Sequence, residues 1–307
     1  MSVSIGIDVA KDKLDIFYND QCKVIQNTAK AIGHFFSKID KSCLIVMEAT
    51  GVYHRMAHRE LETLGFGVMI INPYQSKNFA KSMNVLCKTD KVDAKILCIF
   101  GERMAFTVTP CPSIQQQKTQ DLMRHIDDLK LVKMQVSARN NEINKTIKKS
   151  FARVLKSLEK SIRDVELELK EMIMGDDELK QKVILLNSIP GIGMSTAIML
   201  LSYMKELGAL NKRQIAALAG LAPVCNDSGT HKGKRSIRGG RHGIRSHLYM
   251  PILGAATMHN KRLKAFYDKL VASGKRKKVA LTACMRKMIV WANAILQSGQ
   301  PWQENMA

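Results

Sequence analysis

The chain opens with short β-branched apolar runs, and its periodicity changes twice before the end. Ser4–Val9 and Leu14–Tyr18 read as two strands joined by a turn around Lys11–Lys13, and Lys23–Gln26 as a third. Leu44–Glu48 and Val68–Asn72 are unbroken apolar runs of the kind buried in a sheet covered on both faces. Between them a helix is predicted from about Val52 to Leu64, closed by Gly65. A further helix, about Asp90 to Met104, starts behind Thr89 as N-cap. The order βββαβαβα predicts a mixed sheet with helices on its faces, an α/β domain over residues 1–108.

From Ser113 to Ile173 glycine and proline are absent, and the apolar period lengthens to that of a heptad. Leu122, Ile126, Leu129, Val136, Ile143 and Ile147 form one stripe; Phe151, Leu155, Leu158, Ile162, Val165 and Leu169 form a second. The step from Ile147 to Phe151 breaks register, with Ser150 placed to cap a new helix. The expectation is a coiled-coil arm over 109–177, of two long helices or one with a stutter, with Lys133 and Asn140 on core positions. The narrow stripe between charged flanks favours association between chains; a helical hairpin packed on its own domain is the alternative. Gly175-Asp176-Asp177 then separates a third zone, 178–307, that reads as mostly helical.

Composition adds the partner. With 48 Lys and Arg against 27 Asp and Glu, the net charge is +21, a surplus that calls for a polyanion. Apolar runs such as Leu44–Met47 and Gly67–Ile71 are far shorter than the roughly 20 residues of a membrane span, so no membrane is expected. The N-terminus lacks a basic segment followed by an apolar stretch, and seven scattered cysteines complete neither a disulfide framework nor a zinc spacing. These features predict a cytoplasmic protein with reduced thiols, most of them small core side chains.

Four carboxylates stand out. Asp8 and Glu48 each end an apolar strand, and Asp90 and Asp93 lie one helical turn apart on one face. A carboxylate closing a buried strand is costly unless it is exposed at the sheet edge or holds a cation. Convergence of all four would hold two divalent cations for in-line phosphodiester chemistry, and oxygen-only ligation favours Mg²⁺ or Mn²⁺. Singly, each has a plainer reading: Asp8 as a strand end, Glu48 as a helix cap, Asp90 as a partner of the helix dipole.

Ile5-Gly6-Ile7-Asp8-Val9-Ala10-Lys11-Asp12-Lys13-Leu14-Asp15, Glu48-Ala49-Thr50-Gly51-Val52-Tyr53, Ile71-Asn72-Pro73 and Lys88-Thr89-Asp90-Lys91-Val92-Asp93-Ala94 together resemble DEDD-type insertion-sequence transposases and Piv-like DNA invertases. That resemblance implies a RuvC-like, ribonuclease H-type first domain with Asp8, Glu48, Asp90 and Asp93 as its metal-binding catalytic residues.

A second distinctive stretch runs from Gly220 to Arg241, and no acidic residue occurs from Ser228 to Tyr267. Basic side chains interleaved with glycine suit close approach to phosphates, which makes Lys232, Lys234, Arg235, Arg238, Arg241 and Arg245 candidate nucleic-acid contacts, with Lys88 in the first domain. By chemistry alone Ser228 is an ordinary loop serine. The resemblance implies more: the serine of the Ser228-Gly229 pair would be a nucleophile that joins DNA through a phosphoserine. Ile189-Pro190-Gly191-Ile192-Gly193 resembles the hairpin of helix-hairpin-helix modules, with Gly191 and Gly193 as backbone contacts to phosphate; a tight turn is the plainer reading.

The family resemblance further implies donor and target DNA as substrates, a non-coding guide RNA, and a composite site built from different protomers of a dimer or tetramer joined by the coiled-coil arm. An insertion-sequence transposase, a site-specific invertase and a catalytically idle nucleic-acid scaffold are the competing functions.

Overall fold

The computed structural model describes residues 3–49, 51–85, 87, 89–140, 145–241 and 243–304, and the chain divides into two compact units at Ser113/Ile114. The first unit is α/β. Its strands are β1 (Ser4–Val9), β2 (Lys13–Tyr18), β3 (Gln21–Gln26), β4 (Leu44–Glu48) and β5 (Gly67–Ile71), in the sheet order β3-β2-β1-β4-β5. β1, β2 and β3 pair antiparallel, and β4 pairs parallel with both β1 and β5. Asn19 and Asp20, both at positive φ, form the two-residue turn between β2 and β3, residue types that tolerate the left-handed region.

Alternation along the strands sorts the two faces. Ile5, Ile7, Leu14, Ile16, Ile45 and Met47 point to one side, where they pack on α1 (Ala29–Phe36) through Ile32 and Phe36 and on α2 (His54–Thr63) through Ala57 and Leu61. The other face is covered by α4 (Asp90–Arg103), whose Leu97 and Phe100 meet Val46 and Ile71, while Ala94 and Cys98 meet Phe17. α4 lies unusually close to β1. A Cβ added at Gly6 would stand 1.9 Å from the Ala94 carbonyl oxygen and 2.4 Å from the Cys98 nitrogen, so only glycine permits this approach.

α3 (Pro73–Ser82) was not expected from the sequence, which ended a strand at Asn72. Asn72 is its N-cap, in a full capping box with Gln75 and with Pro73 at the first helical position.

The second unit is helical. α5 (Ile114–Asn140) and α6 (Lys145–Met174) form an antiparallel pair, cross-linked by Lys130–Glu166 at 2.7 Å and Lys133–Glu159 at 3.0 Å. The anticipated stripes do face inwards: Ile126, Ile162 and Leu169 are buried, and Leu122, Leu129, Val136, Leu155, Leu158 and Val165 half-buried. Three details differ from expectation. Ser150 lies inside α6 rather than at its start, Lys133 is an edge ion pair rather than a core residue, and Ile147 is exposed. Ile143 and the side chain of Asn140 lie outside the described residues. The hairpin's base is no detached arm either. Met123, Ile126, Leu169 and Ile173 belong to one core with the helices that follow.

Those helices are α7 (Asp177–Asn187), α8 (Met194–Tyr203), α9 (Lys212–Leu218), α10 (Ile244–Gly254), α11 (Lys261–Ala272) and α12 (Lys277–Ser298), with a π turn at Ala255–His259. α12 is long and apolar enough to cross a membrane, contrary to the expectation from short runs, yet more than half of its apolar window is buried in this core. The thiols also divide differently from expectation: Cys43, Cys98 and Cys284 are buried, whereas Cys22, Cys87 and Cys225 are exposed.

Candidate active site

The α4 face of the first sheet gathers the acidic residues for a simple reason. Ser4, Gly6 and Asp8 share one side of β1, and Asp8 pairs in register with Asp15 on β2, so the two carboxylates stand side by side. Glu48, two residues beyond Val46, shares that side on β4. α4, seated on Gly6 through Ala94, starts over Asp8, and Thr89 caps it by accepting from the Val92 N–H. Its first turn thus brings Asp90 and Asp93 to the same end of the sheet.

Electrostatics records the convergence. Burial, then the charges of Asp93, Asp90, Glu48 and Asp15 in falling order, push the Asp8 carboxyl up to about 6. Hydrogen bonds and ion pairs hold the surrounding groups. Ser76 on α3 donates to Glu48 Oε2 at 2.5 Å, and Lys13 reaches Asp90 at 2.7 Å and Asp15 at 2.9 Å, which holds its ammonium above its ordinary range. Asn27 donates to the Ala10 carbonyl at 3.0 Å and to Tyr53 at 3.2 Å, tying the β1–β2 turn to the segment after Glu48. Sequence reasoning missed Asp15, Lys13, Asn27 and Ser76 as members of the site. Only Asp15 left a trace, as a polar residue inside an apolar strand.

As placed, no three His, Cys, Asp or Glu side chains among the described residues stand close enough to hold one ion. The carboxylates surround Asp8 at Coulombic rather than ligating range, with Lys13 balancing two of them. The donor set nevertheless fits a hard divalent cation. It is all oxygen, and the crowding that raises Asp8 is what such a charge relieves.

In the second unit the chain from Gly220 to Arg241 forms a loop with a narrow neck. Gly240, at φ +79°, would place a Cβ 2.1 Å from the Gly220 nitrogen, so the two ends of the loop touch backbone to backbone. Short strands β6 (Pro223–Val224) and β9 (Ser236–Ile237) pair above the neck, and β7 (Asp227–Ser228) pairs with β8 (His231–Lys232) at the tip. Ser228 is exposed there, across the turn from His231. Lys234, Arg235 and Arg238 are exposed as well, and Arg235 comes within 3.9 Å of Asp227.

Arg241 and Arg245 have internal work. Arg241 makes a two-pronged contact with Glu206, and Arg245 donates to Gly220 O at 2.9 Å and Gly239 O at 2.7 Å, closing the neck. Beside it, Asp127 of α5 accepts from Tyr203 and meets His247 Nε2 at 2.6 Å, while His247 Nδ1 meets the Gly243 carbonyl. The Asp127 bond, ahead of other causes, raises the His247 pKa. Burial would raise Asp127, but hydrogen bonds from His247 and Tyr203 together hold it below the usual carboxylate range.

Gly191, at φ +95°, packs against Ala255, and Gly193 is the N-cap of α8 with open space around it. The turn is closed by an Ile192 N–H to Ile189 O bond, and Asn260 donates to the Pro190 carbonyl. Lys88 and the Lys232 side chain lie outside the described residues.

Two family models match the chain. The DEDD-type IS110 model, described as a transposase, covers residues 5–152, and a model described as "Transposase IS116/IS110/IS902 family" covers residues 184–268. The chain belongs to this transposase family. The first model spans the whole acidic site and the second spans the neck, the serine loop and α10. DNA is therefore the substrate class, and a DEDD domain implies divalent metal. Two relatives, each a "pilin gene-inverting protein", come from Moraxella lacunata and Moraxella bovis. Both are 26% identical over 318 residues, covering 98% of this transposase-family chain and 98% of their own.

Proposed function

We propose that the protein is a metal-dependent transposase that cuts and rejoins DNA strands, with Asp8 at the centre of its catalytic site. The observation that carries this is the set of four carboxylates crowding Asp8 on one face of the sheet, in a chain of a DEDD transposase family. Asp8, Glu48, Asp90 and Asp93 would hold Mg²⁺ or Mn²⁺, which when bound activates an attacking oxygen and offsets phosphate charge. Ser76 and Lys13 keep Glu48 and Asp90 oriented, and Asp15 adds to the field on Asp8.

Ser228 is the proposed nucleophile. Its hydroxyl would form a phosphoserine link as the displaced strand end leaves as a hydroxyl, with the exposed Lys234, Arg235 and Arg238 facing phosphate. Its exposure at the tip of a pinned loop supports the role. Trapping a denaturation-resistant protein–DNA adduct tests it: Ser228→Ala must abolish the adduct, and an undiminished adduct rules Ser228 out.

The +21 charge and the family resemblance support a non-coding guide RNA as a second ligand, and sequencing RNA that co-purifies with the protein tests for it. Exposed Leu131, Val132, Met134 and Val154 on the α5–α6 hairpin support homo-oligomer formation through it, in a cytoplasmic protein. The end-to-end match to the pilin gene-inverting proteins favours a second reading, a site-specific invertase with the same chemistry. Recombination of inverted repeats without excision of the element would distinguish it.

A further inference from the structure

A cavity of ≈ 490 Å³ lies in the second unit between the α5–α6 hairpin and α8, well away in sequence from the serine loop's tip. Its inner wall is apolar and well packed: Ile126, Leu169, Ile198 and Met199 line it and are themselves buried. Its rim is cationic, with Lys130, Arg163 and Lys170 against a single carboxylate, Glu166, which is already bound to Lys130. Among the described residues neither Arg163 nor Lys170 forms an ion pair. Ser195 and Thr196, in the first turn of α8, complete the lining. His247 forms part of the boundary, but its two ring nitrogens are taken by Asp127 and the Gly243 carbonyl.

The volume falls within the roughly 300–1,000 Å³ of small-ligand sites, and an apolar interior with a few convergent polar groups is their usual character. Two cations outside ion-pair distance of any described carboxylate, at the mouth of an apolar cavity, select a ligand with a flat, weakly polar body and an anionic end. A base has that body, and a sulfur-bearing side chain such as Met199 packs well against an aromatic ring. Bases within a duplex are stacked and paired, so only an unpaired one can enter.

We propose that this cavity receives one unpaired nucleotide of a single-stranded nucleic acid, the base against Ile198 and Met199 and its phosphate held by Arg163 and Lys170. The inference rests on the nucleic-acid function above and adds a place where a single strand is distinguished from duplex. The strand would come from DNA opened during recombination or from an RNA ligand; the nucleotide chemistry is shared.

Fluorescence anisotropy of the full chain tests the proposal, with a labelled 12-nucleotide single-stranded DNA, an RNA of the same sequence and the matching DNA duplex as probes. Thr196→Trp, which fills the cavity, and Arg163→Ala combined with Lys170→Ala should each weaken single-strand binding about tenfold and leave duplex binding within about twofold. The double variant should also flatten the salt dependence by about 0.7, the slope that goes with one neutralised phosphate of a single strand. Loss in both single-strand arms supports a common nucleotide pocket, and loss in one assigns the source. Lys170→Glu, at an exposed position, gives an independent variant should Thr196→Trp perturb α8. Variants that melt like the parent and bind single strands like it overturn the cavity's role. In that case undisturbed duplex binding leaves the recombinase reading standing, whereas a parent chain that binds none of the three probes overturns both.

Discussion

Arg241 holds Glu206 by two hydrogen bonds, Nη1 to Oε2 at 2.7 Å and Nη2 to Oε1 at 2.9 Å, and gives a third to the Tyr203 carbonyl at 2.6 Å. Both side chains are about 30% exposed, and the pairing overcomes burial to hold Glu206 below the usual carboxylate range. The contact anchors the end of the serine loop to the segment after α8. Arg241→Ala is expected to cost about 1–3 kcal/mol by leaving Glu206 half-buried and unpaired. Arg241→Lys should recover only part of that, because an ammonium lacks the two-pronged fork. Urea unfolding measures both, and equal stability of the Ala and parent chains would refute the anchoring role.

The Asp127–His247 pair gives a pH dependence with a definite sign. His247 has a raised pKa, so its contribution is complete below about 6.5 and is lost as pH rises through the higher folded value. Asp127 has a lowered pKa, so its contribution is present above about 3.9 and is lost as pH falls through the lower folded value. Thermal stability of the parent should therefore decline on the alkaline side of about pH 6.5 relative to His247→Asn. The difference between the two melting curves across pH 5–9 reads it directly, and a constant difference would refute the pairing.

Gly6→Ala should be among the most damaging conservative changes in the first unit. The new methyl meets backbone of α4 on the sheet, and overpacking of this kind costs roughly 1–3 kcal/mol or more. Lifting α4 also displaces Asp90 and Asp93, so cleavage should fall further than the stability loss explains. Normal cleavage at temperatures where the variant is folded would contradict this.

Ser76→Ala tests positioning of Glu48. The change removes the 2.5 Å donor to Glu48 Oε2 from a buried site without touching a ligand. Loss of such a support is expected to weaken metal dependence or activity about 10–100-fold. A Mg²⁺ titration of cleavage measures it, and Ser76→Thr, which keeps a hydroxyl, should recover part of the loss.

Much of the first unit was legible because its signals are local. Continuous apolar runs marked Leu44–Glu48 and Gly67–Ile71, and Thr89 marked the start of α4. Asp8 and Glu48 announced themselves by ending apolar runs, and Asp90 and Asp93 by their spacing of one helical turn. α3 carried an equally local signal in Asn72-Pro73 and Gln75, but Asn72, its N-cap, reads as the end of the preceding strand. Other features were not legible because they depend on contacts distant in sequence. Lys13 meets Asp90 across 77 positions, and Ser76 meets Glu48 from an unexpected helix. The two-residue strands of the serine loop lie below any periodicity. Charge composition could not separate Arg241 and Arg245, tied to the protein itself, from Lys234, Arg235 and Arg238, which face solvent.

Asp8 is the proposed hub of a metal-dependent strand-cutting site. The decisive measurement compares the parent with Asp8→Ala, in DNA cleavage with Mg²⁺ and in DNA binding on the same preparation. Cleavage should vanish while DNA affinity and folding are retained. Cleavage at the parent's rate by a folded Asp8→Ala protein would exclude Asp8 from the chemistry.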